Sequence, residues 1–253
     1  MLIKNKQYKK TMFINMDKNH DLEYKSVIVS DDVLKALIKL PASTVYNSVR
    51  HFGSHLCVCE GLKNFTPGEK IAARARTLRF LPNREDLHVD KKSRHNSPEY
   101  MAMEKCGPGD VLVADLQGSR LNVVAGDVKL LQLKMNKAEG IVIDGAIRDL
   151  GIILSENYNL TVFATDRSLH GGPTLSPAEE DIQIQCGGAL VKPGDIMFGD
   201  DDGVLVIPSW MAVDVLNHAR ANEEIEKKIK KKILDEKVSP SKYYPHSYQV
   251  KND

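Results

Sequence analysis

Apolar and polar positions alternate along the chain in a way that predicts most of its elements. Ser30-Asp31-Asp32 precedes Val33, Leu34, Leu37 and Ile38, which is an N-cap followed by an amphipathic helix. Pro41 ends that helix, and Thr44 to Phe52 reads as a second one closed by Gly53. One short grammar then recurs: Pro-Gly-acid followed by a strand, at Pro67-Gly68-Glu69, Pro108-Gly109-Asp110 and Pro193-Gly194-Asp195. Pro-Gly makes a tight turn, and the apolar run behind it is a buried strand. The later two copies also end alike, in Asp115 with Gly118 and in Asp200 with Gly203. The turn acids are read as structural. Between these copies lies an α/β section. Gly126-Asp127 opens a helix through Leu130, Leu131 and Leu133 to about Ala138. Gly140 to Ile143 is a short buried strand that Asp144-Gly145 breaks. A helix from about Ile147 to Asn157 follows, with Arg148-Asp149 in its first turn, and then a strand from Leu160 to Ala164. Beyond a loop with Gly171-Gly172-Pro173, Val204 to Ile207 forms a strand, and Pro208-Ser209 opens a long helix from about Trp210 to Glu236.

This pattern divides the chain into a polar N-terminal arm (1–29), a single domain with its C-terminal helix (30–236) and a tail (237–253). With 253 residues and a 42% hydrophobic content, one substantial core is expected. The formal net charge of +1 gives no basic excess for nucleic acid. Basic residues do gather in Lys4–Lys10 and Lys227–Lys232. The second run is interleaved with Glu223, Glu224, Glu226, Ile225, Ile229 and Ile233, the pattern of a solvated helix face with an apolar stripe. No apolar run is long enough to span a membrane, and the Lys-rich start lacks the apolar stretch of a signal peptide. The four cysteines, Cys57, Cys59, Cys106 and Cys186, have no zinc-site spacing, and Cys57 with Cys59 suits alternation on a strand. Reduced thiols and a cytoplasmic location are expected.

The candidate chemistry lies in Gly140–Asp149. A strand that ends where a helix begins is where α/β proteins place ligands. Arg148 offers a fork for a carboxylate, and Asp149 an oxygen ligand for a hard divalent cation. Gly126-Asp127 and Arg148-Asp149 start successive helices. With a central strand between them, both N-termini lie at one sheet edge and their amides and acids converge on one pocket. The plainer reading makes Arg148 and Asp149 a surface pair at a helix end, and Asp127 the cap of its own helix. His170 is read as a loop residue near the pocket mouth, since His170-Gly171-Gly172 reverses the usual order of phosphohistidine domains.

Gly126-Asp127, the Gly140–Asp149 block and the segment from Cys186-Gly187-Gly188 through Pro193-Gly194-Asp195 to Asp200-Asp201-Asp202-Gly203-Val204 occur in order at suitable spacing. Over roughly Val33 to Glu226 the chain resembles the class II pyruvate aldolases typified by 4-hydroxy-4-methyl-2-oxoglutarate aldolase. That family also contains the regulator of ribonuclease E activity A (RraA). The resemblance implies an α/β fold with a swivelling β/β/α core, and a homotrimeric or hexameric ring with active sites between subunits. It implies that Arg148 binds the pyruvoyl carboxylate and that Asp149 binds Mg2+ or Mn2+. Gly126 and Asp127 would supply backbone donors and a carboxylate to the substrate and to water on the metal. A glutamate from the neighbouring subunit's C-terminal helix, Glu223 or Glu224 here, would complete the metal's water shell. Arg148 and Asp127 are then the catalytic pair. The implied activity is cleavage or decarboxylation of a pyruvate-derived oxo-acid through pyruvate enolate, as in the aldolase and in oxaloacetate decarboxylase. The chain departs from the family at Ile152, where the aldolase pattern has an acid, and at Asn47, where it has an aspartate. The alternative is a non-catalytic regulator of ribonuclease activity that binds a protein partner. A further one is an enzyme of this fold acting on a sugar-derived oxo-acid.

Overall fold

The computed structural model describes residues 27–84, 96–170 and 174–244. The expectations placed on residues 1–26, on Gly171-Gly172-Pro173 and on 245–253 therefore lie outside the described residues. Helices α1 (Asp31–Leu37) and α2 (Ala42–His51) come first, followed by strands β1 (Lys63–Asn64) and β2 (Ile71–Pro82). Then α3 (Pro98–Lys105), β3 (Asp110–Asp115), α4 (Asp127–Met135), β4 (Gly140–Ile147), α5 (Leu150–Ser155) and β5 (Thr161–Arg167) alternate. Strands β6 (Leu175–Glu180), β7 (Ile184–Cys186), β8 (Ala189–Val191), β9 (Ile196–Asp200) and β10 (Gly203–Ile207) lead to the long helix α6 (Ala212–Glu236).

The main sheet runs β1-β5-β4-β3-β2-β9-β10, with β6 added to β2. Strands β2 to β5 are mutually parallel, and the helices between them are the crossovers that parallel pairing needs. Because both faces are covered, β3 and β4 are buried at every position, which is why they read as continuous apolar runs. The two ends of the strand order meet: Asn64 Nδ2 at the end of β1 donates to Asp201 Oδ1, between β9 and β10, at 3.0 Å, and the sheet is nearly closed into a barrel.

Three apolar clusters fill the molecule. Inside the curve, Val111, Val113, Val142 and Phe163 pack against the β7–β8 hairpin. Outside it, Leu112, Ile141 and Ile143 pack under α3, α4 and α5. A third cluster joins α1, α2 and α6 to β9 and β10 through Leu37, Val45, Phe198 and Val215. At the three Pro-Gly turns the glycines sit at φ 87° (Gly68), 75° (Gly109) and 86° (Gly194), a region closed to most side chains. Two of the three turn acids are structural. Asp110 accepts from Arg74 Nε and Arg76 Nε, both at 3.1 Å, and Asp195 accepts the Lys192 and Ser209 amides, both at 2.9 Å.

Some expectations need correction. Asp144-Gly145 does not end the strand: β4 continues to Ile147, absorbing a register shift between Ile143 and Ala146. Arg148-Asp149 therefore precedes its helix rather than opening the first turn, and α5 is only six residues long. Cys57 and Cys59 flank a single bridge, Val58 to Leu205, rather than a strand. Helix α3 and the β7–β8 hairpin were not expected, and the long C-terminal helix begins at Ala212 after a 3-10 turn over Ser209–Met211.

Candidate active site

Strand β4 delivers Arg148 and Asp149 to the carboxyl edge of the parallel strands. Asp149 caps α5 in the left-handed conformation at φ 57°, uncommon for a residue with a side chain. That turn sends the Asp149 carboxylate back toward the start of α4. Its Oδ2 accepts the Asp127 amide at 3.3 Å and lies 3.4 Å from Arg148 Nε. Gly126 is the N-cap of α4 and leaves the needed space. A β-carbon there would fall 2.1 Å from Asp149 Oδ2 and 2.8 Å from Arg148 Nε. The loop before Gly126 is sewn to β4 on its other side. Leu116 N and Gly118 N both donate to the Asp144 carbonyl at 3.1 Å, and Ala146 N donates to the Asn122 carbonyl at 3.0 Å. Two elements far apart in sequence are thus held as one cradle. There the Asp127 amide, a half-exposed guanidinium and a carboxylate converge.

The cradle opens into a cavity of about 250 Å³. Gly126 and Arg148 form one side. Phe80, Leu175 and Pro177 form an apolar wall contributed by β2 and β6. Lys129, on the first turn of α4, and Glu99, on the first turn of α3, form a third side, joined by an ion pair of 2.7 Å. Lys129 also lies 5.4 Å from the centre of the Tyr100 ring. Sequence reasoning missed this side entirely. The signal was present in Ser97-Pro98-Glu99, an N-cap, a proline at the first helical position and an acid, which starts a helix.

Of the residues singled out from sequence, Gly126, Asp127, Arg148 and Asp149 come together. Glu223 and Glu224 do not join them within one chain. They sit on α6, which packs on α1 and α2, where Glu223 Oε2 accepts from Thr44 Oγ1 at 3.5 Å and Glu224 pairs with Lys227 at 3.0 Å. Asn47 is exposed on α2, Ile152 is 41% exposed on α5, and His170 is exposed in the loop after β5. Among the described residues no three His, Cys, Asp or Glu side chains gather as a metal site. Also among them, no helix is long and apolar enough to cross a membrane.

The chain is 33% identical over 147 residues to the Halalkalibacterium halodurans protein named "Putative 4-hydroxy-4-methyl-2-oxoglutarate aldolase", covering 58% of this chain and 69% of that one. It is 34% identical over 181 residues to protein DlpA of Legionella pneumophila, covering 69% of this chain but only 28% of that protein. Among solved structures it superposes on Streptomyces coelicolor RraAS2, described as an unusual member of the RNase ES inhibitor RraA family. The TM-score is 0.71 at 27% identity, covering 81% of this chain and 98% of that one. The RraA-like profile, described as Aldolase/RraA, matches residues 30–206, and the chain belongs to that family.

Proposed function

We propose that this chain is a lyase that releases pyruvate from a 2-oxo acid, by retro-aldol cleavage or by decarboxylation of the oxaloacetate type. The observation that carries the reading is the convergence of the Asp127 amide, the Arg148 fork and the Asp149 carboxylate around Gly126. A surface pair capping a helix would not need a glycine opposite it.

Arg148 would take the substrate carboxylate in its fork, fixing the plane of the 2-oxo acid. The N-terminus of α4, with the positive end of its dipole, would face the oxygen on which negative charge develops. In retro-aldol cleavage the C3–C4 bond breaks, the C4 hydroxyl proton leaves, and C3 of the resulting pyruvate enolate takes up a proton. In decarboxylation the same bond releases carbon dioxide and C3 is again protonated. Asp127, the first residue of α4, would hold or return that proton.

The donor set fits a hard cation held by few protein ligands. Asp149 presents a carboxylate with 31% of its side chain exposed. Gly126 keeps the space beside it free of a β-carbon. Further oxygens would come from substrate, water and Glu223 or Glu224 of the partner subunit in a trimeric or hexameric ring. A magnesium or manganese ion bound there supplies Lewis-acid stabilisation of the developing charge. Pyruvate release from a panel of 4-hydroxy-2-oxo acids and oxaloacetate, with and without added magnesium or manganese, tests the reading. Absence of release from every compound with cation present overturns it. In that case the ribonuclease-regulator reading, favoured by the similarity to RraAS2, stands in its place.

A further inference from the structure

The far side of the candidate active-site cavity carries the ion pair between Lys129 and Glu99, which the proposed chemistry does not use. Both ends are held. Glu99 projects from α3 with 13% of its side chain exposed, and Lys129 from α4 with 31%, their heads 2.7 Å apart on the cavity wall. Charge there is balanced before any substrate enters. The remaining surface toward β2 and β6 is apolar, made by Phe80, Leu175 and Pro177.

This arrangement discriminates between substrate tails. A second carboxylate would meet an ammonium that already has a carboxylate partner, and would bring two anions against one cation in a partly desolvated site. A plain alkyl tail would displace water from both heads and leave the other N–H groups of the ammonium and the spare lone pairs of the carboxylate unmet. A hydroxyl is both donor and acceptor. It can accept from Lys129 Nζ and donate to Glu99 Oε1 while the carbon chain lies on Phe80 and Leu175. We infer that the cavity selects 2-oxo acids with one carboxylate and a hydroxylated tail, the sugar-acid class, over 2-oxo dicarboxylates, with the Lys129–Glu99 pair as the selecting element. This rests on the lyase reading only in placing the carboxylate at Arg148, and of the two branches of that reading it favours retro-aldol cleavage, because a decarboxylation substrate must carry a second carboxylate.

Binding and turnover separate the two ideas. Titration calorimetry of the full chain with 5,6-dihydroxy-2-oxohexanoate, 2-oxoadipate and 2-oxohexanoate compares three tails on compounds that lack the cleavable 4-hydroxyl. The dihydroxy acid is expected to bind about tenfold or more tighter than either other compound, because a site built to hydrogen-bond a hydroxyl rejects partners that leave it unpaired. In Glu99→Gln the freed ammonium should reverse the order, with 2-oxoadipate gaining and the dihydroxy acid losing. Lys129→Gln should lose the preference for the dihydroxy acid without any gain for 2-oxoadipate, and covers the case that Glu99→Gln disturbs α3. Tighter binding of 2-oxoadipate to the unaltered protein overturns the inference, as does an unchanged order in both variants or no binding of any of the three. Tighter binding of the dihydroxy acid without pyruvate release from cleavable analogues would leave the inference standing and remove the lyase reading.

Discussion

Gly126 and Asp149 approach so closely that a β-carbon on Gly126 would lie 2.1 Å from the Asp149 Oδ2. The backbone of Gly126 is at φ −115°, which any residue can adopt, so the glycine is required by its neighbour and not by its own conformation. Gly126→Ala should therefore push the Asp149 carboxylate and the Arg148 fork aside while leaving the fold in place. The expected result is a loss of about a hundredfold in kcat/KM with a thermal midpoint within a few degrees of the unaltered protein. Full activity in the alanine variant would show that the cradle is not the reaction site.

Arg148 should not be replaceable by lysine. The fork donates two parallel hydrogen bonds to a carboxylate, and an ammonium cannot reproduce that geometry. Arg148→Lys is expected to lose about a hundredfold in turnover while keeping its melting curve, since the side chain is 44% exposed and packs on little. Steady-state kinetics beside a thermal melt decide it. A fully active variant would return Arg148 to the status of a helix-end surface residue.

The cradle was only half legible in the sequence, and the reason is local. Gly126-Asp127 and Arg148-Asp149 could be picked out as the starts of successive helices, and the resemblance to the aldolases named their roles. Asp144-Gly145 looked like a strand breaker, since both residue types favour turns. In the fold, the Asp144 carbonyl is the anchor for Leu116 and Gly118, and Gly145 lets the Leu116 side chain lie where a β-carbon would come within 2.7 Å of it. These are tertiary demands that no periodicity encodes. The Pro-Gly turns were readable because their glycines answer a backbone requirement within four residues. Glu99 was not, because its importance lies in meeting Lys129 across 30 residues of chain.

Stability should fall with acid through the joint between α2 and α6. His218 stacks on His51 with ring centres 4.2 Å apart, and its Nδ1 lies 3.0 Å from Ser48 Oγ and 3.2 Å from Asn222 Nδ2. Burial first, and the neighbouring His51 second, hold its pKa below the ordinary 6.5. The folded state therefore binds fewer protons than the unfolded chain just below that value. The stabilisation is complete above 6.5 and is lost as pH falls through the lowered folded value. Thermal midpoints measured from about pH 8 to about pH 5 should decline, and His218→Gln should flatten the decline. An identical slope in the variant would place the titrating group elsewhere.

The thiols should be silent in the native protein. Cys57, Cys59, Cys106 and Cys186 are all buried and free, and burial drives the Cys106 thiol up to about 12. Cys186 is also raised well above its ordinary value, chiefly by its hydrogen bond with Cys59 and then by burial. The thiolate is the reactive form, so a disulfide reagent should label none of them at neutral pH until the chain is unfolded in denaturant. Rapid labelling of Cys186 in the native protein would mean that the β7–β8 hairpin opens readily.

The last prediction concerns where the site is completed. Within one chain, Glu223 and Glu224 point to α2 and along α6, not to Asp149. Further along the same helix, Ile229, Ile233 and Leu234 join Pro240 and Tyr244 around an apolar groove of about 430 Å³, and Leu234 is 75% exposed. An apolar face of that size on a terminal helix calls for a cover. We expect that cover to be a neighbouring subunit, so that α6 brings Glu223 or Glu224 of the partner subunit toward Asp149. An Arg148→Ala protomer and a Glu223→Gln, Glu224→Gln protomer should each be nearly inactive alone. Mixed with subunit exchange, they should recover part of the activity, because some interfaces in each mixed ring then hold both intact groups. Light scattering should report a trimer or hexamer for each protein. A mixture no more active than the sum of its parts, with exchange confirmed by a tag on one protomer, would confine the site to a single chain. A monomer in solution would exclude the shared site altogether.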